Sequence, residues 1–172
     1  MHTTLKQLRE VNACTERYTF LRKAIGPKYG DKKPITMTQI LDLNGMDDCL
    51  WAISHTQNGA GEKLLRLFAC DCAEHVLPIF DKKYPKDARP RECIAVARRY
   101  ANGEASNEEM AAARDAAGAA WAAAWAAWAA AGDARDAAGA ARAAAGDARD
   151  AEIKWQDDRL REMLANITLG EP

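Results

Sequence analysis

Four groups of side chains in this sequence are of the types that chemistry uses. Cys70, Cys72 and His75 stand in the run C-D-C-A-E-H, which invites a metal reading. On a helix Cys72 and His75 share a face, but Cys70 points about 200° away from Cys72. A tetrahedral zinc site also needs a fourth ligand at suitable spacing. Structural cysteines are the better reading, and no metal or cofactor is expected. Cys49 or Cys93 beside His55 or His75 would supply a thiol and a base. No nucleophile elbow, oxyanion loop or orienting acid accompanies them, so no catalytic residue is assigned and the chain is read as non-enzymatic. Asp47, Asp48 and Trp51 lie in G-M-D-D-C-L-W. One aspartate reads as a helix cap and Trp51 as a core residue, and Asp48 with Trp51 is the alternative, a partner contact.

The fourth group carries the most weight. Trp121, Trp125 and Trp128 fall at i, i+4 and i+7 of an Ala-rich stretch, so on a helix they stack on one face. Such a stripe is either core or a binding surface, because Trp and Arg are enriched at interface hot spots. Trp and Arg can also sandwich a base, which keeps a small signalling nucleotide as an alternative ligand. No phosphate-cradling glycine loop occurs, since Gly118, Gly132, Gly139 and Gly146 lie in the helical pattern.

The element that must position this stripe is read in sevens from Met110 to Lys154. One position carries Arg114, Trp121, Trp128, Arg135, Arg142 and Arg149, and the position four later carries Gly118, Trp125, Gly132, Gly139 and Gly146. The two lie about 40° apart and form one stripe. Opposite them runs the 4-3 series Ala116, Ala120, Ala123, Ala127, Ala130, Ala134, Ala137, Ala141, Ala144, Ala148. That is a coiled-coil seam with small knobs. It gains little from burial, at ~0.8 kcal/mol per CH₂, but alanine's helix propensity offsets the glycines at ~1 kcal/mol each. The unbroken phase favours one long rod, whereas Gly132-Asp133 and Gly146-Asp147 read as a C-cap followed by an N-cap, the mark of a hairpin. A reversal would bring the apolar strip Ile153, Leu160, Met163, Leu164 and Ile167 against the Trp stripe. Arg114, Arg135 and Arg142 have no acidic residue three or four positions away, and Asp133/Asp136 and Asp147/Asp150 are like-charged neighbours. Such charges are better satisfied by another helix, a second subunit or a partner protein.

The rest of the chain reads as helical. Leu5 and Leu8 begin a first short helix. Ala13, Arg17, Phe20, Leu21 and Ala24 mark a second, closed by Gly26-Pro27. Thr36 or Thr38 begins a third that ends at Asn44-Gly45, with Asp47 or Asp48 as N-cap of the next. Glu62 to Phe80 is the strongest core helix, with Leu64, Leu65, Phe68, Cys72, Val76 and Phe80 on one face and Ala69, Ala73, Leu77 and Ile79 widening it. Pro90 opens the helix Arg91 to Ala101, with Ile94, Ala97 and Ala101 facing inward. Gly103 stops it, and Ser106 with Glu109 forms a capping box for the Ala-rich helix. No alternating β-branched run signals a strand. The fold class is all-α, with a compact N-terminal helical domain (1–104) and an Ala-rich helical arm or hairpin (105–169).

The totals narrow the function classes. The chain has 172 residues and a formal net charge of −1. The balance argues against a general nucleic-acid binder and equally against an acidic DNA mimic. Five cysteines form an odd set without secreted-scaffold spacing. Neither an apolar leader nor the ~20 strongly apolar residues of a membrane span is found. The expected location is the reducing cytoplasm of a bacterial host cell, with no membrane partner.

A family resemblance gives these features a context. The segment L-L-R-L-F-A-C-D-C-A-E-H-V-L-P-I-F (Leu64 to Phe80), the run from Tyr84 to Ser106 around R-P-R-E-C-I-A-V-A-R-R-Y, and the Ala/Trp/Arg sevens that follow resemble a helical family named putative immunity proteins, found in bacteria, phages and prophages. N-A-C-T-E (Asn12 to Glu16) and G-M-D-D-C-L-W (Gly45 to Trp51) resemble its N-terminal half. The resemblance implies an inhibitor of immunity or phage anti-defence type that neutralises a toxin or defence effector by binding it. It transfers no catalytic motif. The expected contact residues are Trp121, Trp125, Trp128, Arg114, Arg135 and Arg142, with Asp48 and Trp51. The alternatives are a nucleotide sponge and a structural protein that self-assembles. The Ala seam predicts pairing of two copies, so sedimentation equilibrium at high micromolar concentration is expected to show a dimer; a strict monomer there would remove the seam as a self-association surface.

Overall fold

The computed structural model describes residues 1–55, 59–130 and 138–169, and side chains outside 59, 119–147 and 168–169. Among the described residues the chain is all-α: eight helices and one two-stranded ribbon of two residues per strand. Two compact units divide it, one of Met1–Leu65 with Asp157–Pro172 and one of Arg66–Gln156. The fifth and eighth helices contribute residues to both. No described helix is long and apolar enough to cross a membrane.

In the first unit, strand β1 (His2–Thr3) pairs antiparallel with β2 (Ile35–Thr36), setting His2 opposite Thr36 and Thr3 opposite Ile35. Two residues per strand are too few to show alternation, which is why the sequence carries no strand signal here. Helix α1 (Leu5–Glu10) is capped by Thr4, and α2 (Thr15–Ile25) ends at Gly26 with a φ of 99°. Helix α3 (Met37–Asn44) opens on a full capping box between Thr36 and Gln39. Gly45 (φ 85°) then ends α3 and begins α4 (Met46–Ser54) at once. The expected aspartate cap is therefore not made: α4 has no side-chain cap, and Asp47 and Asp48 sit in its first turn, where the positive end of the helix dipole favours them. A residue with φ in this range is rarely other than glycine, so the α3–α4 joint depends on Gly45.

The core of this unit joins distant sequence. Leu5, Ile35, Met37, Ile40, Cys49 and Ile53 are essentially inaccessible, and so is Leu160 from helix α8 (Ala138–Leu169), with Leu164 close behind. Arg161 on the same stretch pairs with Asp42 of α3. The apolar strip of the tail therefore divides: Leu160 and Leu164 are buried in the first unit, while Ile153 is exposed. The strip's 3–4 spacing records that the helix has an apolar face but not what covers it.

In the second unit, α5 (Gly59–Lys83) runs longer at both ends than expected and contains Pro78 near its C-terminus. It buries Phe68, Cys70 and Asp71, but Val76 is 39 % and Ile79 76 % exposed. The apolar stripe continues past the point at which the helix is covered, so Ile79 does not widen the core. Helix α6 (Arg89–Ala101) carries Pro90 in its first turn and packs along α7 (Asn107–Ala130). Gly103 (φ 78°) reverses the chain between them. The expected capping box is present, with Ser106 N–H donating to Glu109 (2.8 Å) and Glu109 N–H to Ser106 Oγ (3.1 Å).

Both ends of the Ala-rich sevens are anchored inside this unit. Glu109 pairs with Arg99 of α6, while Trp155 of α8 stacks on His75 of α5. Arg98 of α6 in turn grips Asp71 and Glu74 of α5, so the two anchors lie on one helix pair. A straight rod would hold Glu109 and Trp155 about 70 Å apart at ~1.5 Å per residue, which this arrangement does not permit. The sevens are carried by two helices, α7 and α8, and residues 131–137, where the two readings diverge, lie outside the described residues.

Leu160→Ala is expected to lower stability by ~2–5 kcal/mol, as loss of a fully buried side chain does, whereas Ile79→Ala should change it by less than ~0.5 kcal/mol. Urea unfolding of the two variants checks this, and equal effects would contradict the burial described above.

Candidate functional site

The structure brings Asp48 and Trp51 together with residues that sequence spacing did not single out. Because Gly45 lets α4 follow α3 directly, Asn44 and Asp48 lie one turn apart across the joint. Asn44 Nδ2 donates to Asp48 Oδ2 (2.7 Å) and to the Arg17 carbonyl (3.0 Å). Arg17 reaches over from α2, its Nε donating to Asp48 Oδ1 (2.9 Å) and its Nη2 to the Asn44 carbonyl (3.0 Å). The four bonds form a closed clasp between α2 and the α3–α4 joint. The Arg17 guanidinium is held in its charged form beyond its ordinary range, first by the hydrogen bond to Asp48 and then by that carboxylate's charge. Arg17 is half exposed, so solvent screens the clasp and its main effect is to fix geometry.

Behind the clasp lies a cavity of about 270 Å³, lined by Tyr18, Leu21, Ile40, Asn44, Asp48 and Trp51 among others. Trp51 is half-buried and stacks on His55 with ring centroids 4.1 Å apart. His55 Nδ1 in turn lies 2.8 Å from the Trp51 carbonyl and 3.0 Å from Ser54 Oγ. Asp48 and Trp51 thus belong to one site on the first unit, with Asp48 already committed to Arg17 and Asn44. Arg17 lay in the α2 pattern as a helix-face residue. The signal that could have found the clasp is the i, i+4 pair Asn44/Asp48 astride a glycine joint.

The cysteines and histidines are engaged elsewhere. Cys49 is buried, its thiol donates to the Met37 carbonyl (3.4 Å), and burial pushes it up to about 12. Burial likewise raises Cys70 and Cys72. Within C-D-C-A-E-H, Asp71 holds Arg98. His75 lies flat on Trp155 (3.8 Å, 8°), with Nε2 3.3 Å from Glu152 Oε2. Among the described residues no group of three or more ligating side chains is placed to hold a metal ion.

Of the stripe residues, Arg114 is exposed on α7, and a methyl group at the exposed Gly118 would meet nothing within 4 Å. The backbone of Trp121, Trp125 and Trp128 lies in α7 and that of Arg142 in α8. Their side chains, and Arg135 entirely, lie outside the described residues.

A thiol raised from 9.0 to about 12 keeps its proton in the folded protein at pH values where the unfolded chain has lost it. Its contribution to stability is therefore fully present below about pH 9 and is lost as pH rises toward 12. At pH 8 an alkylating reagent is expected to modify exposed Cys14 and to reach Cys49 only after addition of denaturant. Peptide mapping reads this, and prompt labelling of Cys49 in the native protein would contradict its burial.

One family model matches this chain, over residues 55–163, and its description is "Imm-5 like putative immunity protein". No curated protein and no solved structure matches it.

Proposed function

Because the chain belongs to the Imm-5 like putative immunity protein family, we propose that it is a non-enzymatic inhibitor. It neutralises a toxin or defence effector by binding it through the Trp/Arg stripe of the Ala-rich helices. The family match carries this reading, since residues 55–163 take in α7 and most of α8. Three further features support it. A glycine inside an exposed helix costs about 1 kcal/mol relative to alanine, and at Gly118 no described residue packs close enough to require it. A partner approaching that face would. Trp and Arg are the residue types that dominate binding energy at hot spots, and the stripe is composed of them. The thiol of Cys49 is held protonated by burial, which fits a structural role better than that of a nucleophile.

On this reading Trp121, Trp125 and Trp128, flanked by Arg114, Arg135 and Arg142, meet the target. The opposite Ala seam is available for close helix packing. The test is affinity capture of the target from the host, followed by co-expression with the captured toxin or effector. Wild type is expected to restore growth and to co-purify with the toxin. Trp125→Ala should weaken the complex roughly 30-fold or more, as loss of a ~2 kcal/mol hot spot does. Gly118→Ala should stabilise the free helix by up to ~1 kcal/mol while weakening the complex. Full protection by Trp125→Ala with unchanged helicity would overturn the assignment of the stripe. Recovery of a covalently altered toxin would overturn the non-enzymatic mode.

A further inference from the structure

The opening of the chain carries a charge imbalance that the totals conceal. Eight of the 24 Lys and Arg residues, but three of the 25 Asp and Glu, fall within residues 1–35, outside the stretch that the family model matches. The fold gathers most of these cations. Asp31 accepts from Arg9 Nη2 on α1 (2.6 Å) and from Arg22 Nη1 in the last turn of α2 (2.9 Å). Its carbonyl accepts from the Lys6 N–H (2.9 Å). Two turns shape the backbone between, with the Tyr29 N–H donating to the Gly26 carbonyl (3.1 Å) and the Lys33 N–H to the Gly30 carbonyl (2.9 Å). Residues 26–34 are thereby stapled to both helices. Lys28, Lys32 and Lys33 sit on this fixed backbone, next to the turn of α2 that carries Arg22 and Lys23. Lys23, Lys28 and Lys32 are exposed and make no ion pair among the described residues.

Like charges held together attract an anionic partner, and the surroundings decide which kind. A single-stranded nucleic acid needs open aromatic faces on which its bases stack. Tyr29 does not offer one, because Lys33 lies over its ring (4.4 Å) and its hydroxyl donates to the Pro34 carbonyl (2.6 Å). The acidic excess of the rest of the chain also opposes a long polyanion. A lipid surface needs a broad apolar face beside the cations, whereas α2 presents one large exposed apolar side chain, Phe20, at 56 %. A single exposed ring with cations beside it is the anatomy of a protein contact, apolar at its centre and charged at its rim. Phe20 and Lys23 are three residues apart and therefore share a face of α2. Asp31, gripped by two arginines, shows in small the ligand that these cations take: a carboxylate.

We propose that α1, the last turns of α2 and residues 26–34 form a docking face for an acidic protein segment, whose carboxylates meet Lys23, Lys28 and Lys32 and whose apolar side chain covers Phe20. Charge complementarity is what selects this partner. Exposed ion pairs add little affinity each, so the face acts through the speed of encounter and its dependence on salt more than through tightness. It uses none of the residues of the Trp/Arg stripe, so the failure of either reading leaves the other untouched.

The test titrates the full-length protein with acetyl-Glu-Glu-Leu-Glu-Glu-amide, following backbone amide NMR signals. Saturable shifts are expected in α1, the last turns of α2 and residues 26–34, and the affinity should fall about fivefold between low and physiological salt. The same peptide with glutamines in place of its glutamates should give none. Lys28→Gln with Lys32→Gln should weaken binding roughly threefold or more, as the loss of two exposed pairs predicts. Lys82→Gln with Lys86→Gln removes two exposed lysines elsewhere and should leave it unchanged. A glycine in place of the probe's leucine should weaken binding to wild type but not to Phe20→Ser. Absence of saturable shifts, equal binding of the glutamine peptide, or equal losses in the two lysine pairs would each overturn the proposal. So would tighter binding of octathymidylate or of phosphatidylserine vesicles than of the acidic peptide, which would make the face one for nucleic acid or for a membrane.

Discussion

An alanine side chain removes so little apolar surface from water that a helix made of alanine cannot hold itself in place by its own face. This limit governs the second half of the molecule. Helix α7 is secured where the alanines begin, by the Ser106–Glu109 box and the Arg99–Glu109 pair. Helix α8 is secured where they end, by Trp155 on His75 and by Leu160 and Leu164 in the first unit's core. Alanine itself supplies helix propensity far more than apolar area. Trp, Arg, Gly and Asp are the departures from alanine whose spacing gives the faces different compositions.

Polar clasps hold the joints that hydrophobic burial leaves free to slide. Arg17 with Asp48 and Asn44 pins α2 to the α3–α4 joint. Arg98 with Asp71 and Glu74 pins α6 to α5. Asp31 is gripped by Arg9 and Arg22 together, which lowers its carboxyl below the usual range, Arg9 first. Exposed pairs of this kind add little stability. Asp71 differs because it is buried, and removing Arg98 would leave its charge without its main partner.

An immunity-type inhibitor needs surface chemistry, not reaction chemistry, and the distribution of reactive groups is consistent with that. Burial raises the thiols of Cys49, Cys70 and Cys72, His75 is engaged by an aromatic ring and a carboxylate, and His55 is folded back on its own helix.

Much of the local structure was legible in the sequence because its causes are local. Capping at Ser106 and Thr36, the stops at Gly26, Gly45 and Gly103, and the all-α class each follow from a residue's own backbone preferences or from its neighbours within a turn. The candidate site was half legible. Asp48 and Trp51 stood out by type, but Arg17, Tyr18 and Asn44 did not, since what unites them is the packing of α2 against a joint about 30 residues away. For the same reason the sequence showed an apolar face at Leu160 and Leu164 without saying what covers it. It showed an equally apolar residue at Ile79 that nothing covers. Periodicity records which side of a helix is apolar; only the tertiary structure decides which stretches of that side lose their water, because burial depends on a neighbour that the helix does not encode.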